Sequence, residues 1–85
     1  MARLVILARS WCHLCDDMVE ALRPVAAELG EIFEVLDVDA HEDLVAEWDE
    51  LVPVLLADGR HVCHYHFDEA ALRAYFAAFP VKSPA

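Results

Sequence analysis

The sequence is short of positive charge. Its 85 residues carry 6 Lys plus Arg against 16 Asp plus Glu, a formal charge of −10. Neutralising phosphates takes a basic face, and none can be assembled here, so neither nucleic acid nor an anionic membrane is expected as a partner. The acid excess reads as a solvated surface. Long apolar runs are missing as well. None approaches the ~20 residues that span a bilayer. The leading run, Leu4 to Ala8, is shorter than the ~7–15 residues of a signal-peptide core. A cytoplasmic, monomeric protein is expected. Glycine is scarce, with 2 residues, and no repeat, low-complexity tract or linker divides the chain. Residues 1–85 are therefore read as one domain, with 81–85 as a frayed tail. A hydrophobic fraction of 59% with 26% charged residues belongs to a globular protein.

What is present centres on Trp11-Cys12-His13-Leu14-Cys15, followed by Asp16 and Asp17. The apolar run Leu4 to Ala8 comes just before it. Leu14, Met18, Leu22, Val25 and Leu29 recur after it at helical spacing. The first Cys thus falls where a buried strand hands over to a helix. A helix start leaves backbone N–H groups unpaired and carries the positive end of the dipole. Both favour a thiolate, the reactive form of cysteine. The dipole supplies ~0.3–1 kcal/mol, up to ~2 when partly buried, and 1.36 kcal/mol moves a pKa by about one unit. That is enough to bring Cys12 down from a free thiol's value towards neutrality. Three cysteines is an odd count; in a cytosolic protein a close pair is redox-active or metal-binding more often than a structural staple. Three readings of the pair stay open: thiol–disulfide exchange, half of a zinc or iron–sulfur site, or two buried cysteines in a domain kept for binding.

The rest of the chain supplies the frame. Arg3 to Ala8 reads as a doubly buried strand. His13 to Leu29 reads as a helix, with a kink or weak turn expected at Pro24 and a stop at Gly30. Ile32 to Val38 reads as a second, less buried strand. Asp39-Ala40-His41-Glu42 has capping-box spacing, with Asp39 in the cap position of a short helix reaching about Glu50 and showing Leu44, Val45 and Trp48 on its apolar face. Val54 to Ala57 reads as a third strand, and Asp58-Gly59 as a hairpin turn into a fourth, His61 to Tyr65, antiparallel to it. A last helix is expected from a cap at Asp68 to about Phe79, with Leu72, Phe76 and Phe79 on its buried side and Pro80 as its stop. The order β-α-β-α-β-β-α, with parallel and antiparallel strands mixed in a four-stranded sheet, makes an α/β/α sandwich of three layers.

This order, and the place of Cys12 and Cys15 in it, resembles the thioredoxin fold in its smaller, glutaredoxin-like form, over roughly Arg3 to Phe79. The resemblance implies a thiol–disulfide oxidoreductase with no bound cofactor, acting on protein disulfides or glutathione mixed disulfides, with glutathione as co-substrate. It implies Cys12 as nucleophile and Cys15 as the more buried resolving thiol. Trp11 would flank the site, Arg9 would meet a substrate carboxylate, and Pro53 would be cis, with Val52 offering backbone groups to an extended substrate. Leu51 stands where glutaredoxins usually have Thr, and Cys63-His64 where they often have Gly-Gly.

Other residues carry expectations from their own chemistry. A protonated His13 beside Cys12 would favour the thiolate, whereas Asp16 and Asp17 would oppose a second anion. A two-residue turn at 58–59 places Cys63 opposite Val54, near the active-site end of the sheet, as a third redox thiol or as a small core residue. Strand alternation separates His64 and His66 from His61 and Cys63, so the four cannot close a metal site within the strand.

Overall fold

The computed structural model describes residues 3–48 and 50–79, with the backbone alone at 44–46. The expectations for Pro80, the tail 81–85 and the side chains of Leu44 and Val45 lie outside the described residues. Eight segments follow one another: β1 (Leu4–Ala8), α1 (His13–Leu29), β2 (Phe33–Asp37), a 3₁₀ turn (Val38–Ala40), α2 (Glu42–Trp48), β3 (Val54–Ala57), β4 (Arg60–His64) and α3 (Glu69–Ala78). The order is the expected one with the 3₁₀ turn added.

All five residues of β1 are buried, because the strand is central. It pairs parallel with β2 and antiparallel with β3, and β4 closes the sheet in the order β2-β1-β3-β4. Alternate side chains of a strand point to opposite faces, and two cores result. Leu4, Ile6 and Leu55 meet Met18 and Leu22 of α1 and Leu72 of α3. Val5, Leu7 and Val54 meet Val38 and the half-buried Trp48 and Leu51 on the other side. The sheet is thus sandwiched between α1 with α3 and α2. Each fully buried Leu or Ile contributes about 1.5–3 kcal/mol; Ile6, Leu22 and Leu72 lie at 0% exposure.

Local signals end the elements as their chemistry requires. Gly30, at φ 70°, takes the left-handed position after α1. Its N–H and that of Glu31 bond the Ala27 and Ala26 carbonyls at 3.1 and 2.8 Å, the Schellman arrangement. The Asp68 carboxylate accepts the Ala71 N–H at 2.9 Å and caps α3. Asp58 and Gly59, at φ 52° and 80°, form the mirror-image turn that joins β3 to β4.

Helix α1 runs through Pro24 as expected, with the proline on its exposed side. Three details differ from the sequence reading. β2 stops at Asp37 because that carboxylate accepts the Asp39 N–H at 2.9 Å and turns the chain. The turn drops Val38 into the core. Asp39 therefore sits inside the turn instead of capping the short helix, which begins at Glu42. Phe79 is 45% exposed, not buried: it lies beyond α3, where the Arg60 guanidinium covers its ring at 4.3 Å.

Candidate active site

The chain leaves the buried end of β1 at Arg9 and reaches the start of α1 at Cys12. Cys12 is the N-cap of that helix, in extended conformation. Its sulfur accepts the Cys15 N–H at 3.1 Å, and its carbonyl accepts the Asp16 N–H at 3.2 Å. Sulfur here occupies the place that a Ser or Asp oxygen usually takes at a helix start. The Cys12 and Cys15 sulfurs are bonded to each other, with Cα atoms 5.2 Å apart. The two are unequal. Cys12 is half-buried, whereas Cys15, already in the first helical turn, is 2% exposed. The helix that packs Met18 and Leu22 into the core carries Cys15 in with them.

Trp11 stands immediately before this pair with its side chain wholly in solvent. Its backbone is left-handed, at φ 62°, which is rare for a bulky residue. His13 is exposed on the first turn of α1. Arg9 is taken up by Asp39: Nε and Nη2 donate to the two carboxylate oxygens at 3.2 and 2.8 Å. This fork ties the loop after β1 to the 3₁₀ turn. The expected meeting of Arg9 with a substrate carboxylate would have to compete with it.

The Val52–Pro53 bond is cis. Val54 pairs with Leu7, so Pro53 lies at the end of the sheet from which the Arg9–Cys12 loop departs. Pro53 is fully buried, and its carbonyl accepts the Tyr65 N–H at 2.8 Å. Val52 and Cys12 pack against the same core cluster.

Cys63 moves from its expected place. A bulge at Val62 shifts the register, so Cys63 lies opposite Leu55 and His64 opposite Val54. Cys63 is buried. Burial pushes its thiol up from the ordinary value, against the pull of a hydrogen bond from the Asp68 backbone. The same bulge undoes the alternation expected of the histidines. His61 and His64 share a face, with Nε2 and Nδ1 2.9 Å apart, while Cys63 joins the core under α1 and α3. The His61 ring lies parallel to Trp48 with centroids 6.0 Å apart, and His64 meets Tyr65 edge-on at 4.7 Å. Among the described residues, no group of three or more His, Cys, Asp or Glu is placed to hold a metal ion.

Beside Cys15 a depression of about 270 Å³ opens between α1 and β2, lined by Arg9, Asp16, Val19, Val35 and Asp37 among others. Sequence reasoning did not find it. Asp37 falls within the second strand as read from the sequence, and Asp39 reads as a cap. Their two-residue spacing, which suits a side-chain-closed turn, is the signal that could have shown otherwise.

Residues 3–77 match the family model described as Glutaredoxin-like domain (DUF836). The chain belongs to this family. An uncharacterized protein of Mycobacterium tuberculosis is 34% identical to this glutaredoxin-like domain over 84 residues, 93% of this chain and 87% of its own. The solution structure of protein Ne2328 from Nitrosomonas europaea is similar at TM-score 0.80 and 34% identity, covering 87% of this chain and 89% of that one. A thioredoxin from Halobacterium salinarum shares the fold at TM-score 0.62 and 25% identity, covering 98% of this chain and 78% of that one. The architecture is therefore the α/β thioredoxin–glutaredoxin one. No helix among the described residues is long and apolar enough to cross a membrane.

Proposed function

We propose that this glutaredoxin-like domain is a thiol–disulfide oxidoreductase that works through Cys12 and Cys15. The observation that carries the reading is the unequal pair: a half-buried sulfur capping a helix, bonded to a buried sulfur one turn behind it. In the reduced protein the Cys15 N–H and the dipole of α1 would face a Cys12 thiolate and stabilise it. That thiolate attacks one sulfur of a substrate disulfide, forms a mixed disulfide and expels the other sulfur as thiolate. Cys15, as thiolate, then attacks the Cys12 sulfur, closing the Cys12–Cys15 bond and releasing the second substrate thiolate. Two electrons pass from the dithiol to the substrate, and solvent supplies protons to the released thiolates. A thiol reductant restores the dithiol; glutathione is the co-substrate that the family likeness suggests. Trp11, His13 and the Val52-Pro53 backbone are the proposed surroundings of the substrate. Cytoplasm, a reducing compartment, suits a pair that must start as a dithiol. Cys63, sealed in the core with its thiol raised, has no part in this exchange.

The test is to trap the intermediate. Cys15→Ser protein should accumulate a mixed disulfide at Cys12 with a protein or glutathione disulfide, read by intact mass, and Cys12→Ser protein should accumulate none. Stoichiometric zinc or a visible iron–sulfur chromophore in the reduced wild type, with no trapped intermediate, would refute the proposal. The reduction potential of the pair assigns the reductant: about −200 to −230 mV is the glutaredoxin range and about −270 mV that of thioredoxin.

A further inference from the structure

The depression beside Cys15 has a chemical character of its own. Ala8, Val19 and Val35 give it apolar walls, and Asp16 and Asp37 bring carboxylates to it. Arg9 also lines it, but its fork is closed on Asp39, so three carboxylates meet one guanidinium. The other arginines of the described residues are engaged elsewhere: Arg3 with Glu34, Arg23 with Glu20, Arg73 with Glu28 and Glu69, and Arg60 over Phe79. An anionic ligand would have to break the Arg9–Asp39 fork and approach two further carboxylates. A ligand with an aliphatic stem and a cationic head meets no such cost. Its stem fits apolar walls while its head stays among carboxylates, as Lys and Arg side chains do.

We propose that this depression is a subsite of the exchange reaction, and that it selects disulfides flanked by a cation: a Lys or Arg beside the substrate cysteine, or an amine in a small disulfide. The inference rests on the exchange function proposed above and adds the substrate class to it. Asp16 and Asp37 are its specificity-determining residues. The whole chain, at −10, steers the same class of partner towards the site.

The test compares small disulfides of opposite charge. Reduced protein is mixed with cystamine, with 3,3′-dithiodipropionate and with the uncharged bis(2-hydroxyethyl) disulfide, and second-order rate constants are measured at low and high salt. Dithiothreitol, an uncharged dithiol, calibrates the intrinsic reactivity of each. Taking the ratio of cystamine to dithiodipropionate cancels any change in the Cys12 thiolate fraction. The ratio should exceed that of dithiothreitol by about tenfold at low salt and fall towards it as salt screens the carboxylates. Asp16→Asn with Asp37→Asn should remove most of the excess; Asn at 37 keeps an oxygen for the Asp39 N–H, and circular dichroism verifies folding. Glu42→Gln with Glu47→Gln, the same charge loss on α2, should leave the ratio high. A ratio equal to that of dithiothreitol, or one untouched by the Asp16 and Asp37 changes, or one lowered equally by the α2 changes, overturns the subsite while leaving exchange intact. Failure to reduce any of the three disulfides overturns the exchange reading itself.

Discussion

Asp16 should hold back the Cys12 thiolate, and the structure sets the size of the effect. Asp16 follows Cys12 by four residues, with its N–H on the Cys12 carbonyl at 3.2 Å. Residues so spaced keep their Cβ atoms about 5–6 Å apart. Two like charges at about 6 Å in water repel by roughly 0.7 kcal/mol; Asp16 is exposed, so the value for water applies. That energy is about a threefold change in an acid dissociation constant. The perturbation is Asp16→Asn in a Cys15→Ser background, where Cys12 titrates alone and the backbone N–H at 15 remains. The assay is the pH dependence of Cys12 alkylation. Its midpoint should move to lower pH, by the threefold factor, at low ionic strength. The difference should vanish near 1 M salt, where the screening length is about 3 Å. Asp17→Asn, on a different side of the helix from Cys12, should do less. An unchanged midpoint at low salt, or a shift that salt does not touch, would refute the electrostatic account of this helix start.

Three further expectations concern the frame that holds the site. Leu72→Ala, at a fully buried position between α3 and the sheet, should cost about 2–5 kcal/mol in urea unfolding; a loss under 1 kcal/mol would mean that α3 is not docked as described. Gly30→Ala meets no atom within 4 Å but keeps φ 70°, so its cost of about 1–2 kcal/mol is purely conformational, and Gly30→Asn should cost less. Hydrogen bonds from the Arg3 backbone N–H and the Tyr75 hydroxyl hold the Asp58 carboxyl below its ordinary value. Its contribution to stability is complete above about pH 4 and is lost as pH falls through the lowered value. Asp58→Asn keeps the left-handed turn and should flatten that acid-side loss; equal slopes of urea midpoint against pH in both proteins would contradict this.

The readable parts of the chain were those decided within a few residues. Gly30, Asp68 and Asp58-Gly59 act on their own neighbours, and each ended or turned its element as its type dictates. The Cys12–Cys15 spacing, with an apolar run before and helical periodicity after, placed the pair correctly at the strand-to-helix junction. What the residues could not reveal was decided across the fold. Asp39 has cap spacing, but Arg9, thirty residues away in sequence, takes its carboxylate. The bulge at Val62 depends on how β4 meets β3, and a single extra residue there brought His61 and His64, expected on opposite faces, to the same one. Phe79 fits the apolar stripe of α3, yet the helix ends at Ala78 before that stripe reaches it.

Trp11 combines the local and the distant most tightly. A left-handed backbone costs a bulky residue about 1–2 kcal/mol, and an exposed indole recovers none of that by burial. No packing among the described residues accounts for this residue at this position; the substrate contact proposed above would. Trp11→Gly separates the two effects. Glycine adopts φ 62° without strain, but its greater freedom in the unfolded chain offsets about 0.4–1 kcal/mol of the gain. Stability in urea should therefore stay level or rise by up to about 1.6 kcal/mol. Exchange with small disulfides should persist, whereas exchange with folded protein disulfides should fall by tenfold or more, the loss of one aromatic anchor of about 2 kcal/mol. A destabilised Trp11→Gly protein would place the indole in the fold after all. An equal loss of rate on small and protein disulfides would place it in the chemistry of Cys12 and not in the recognition of a partner.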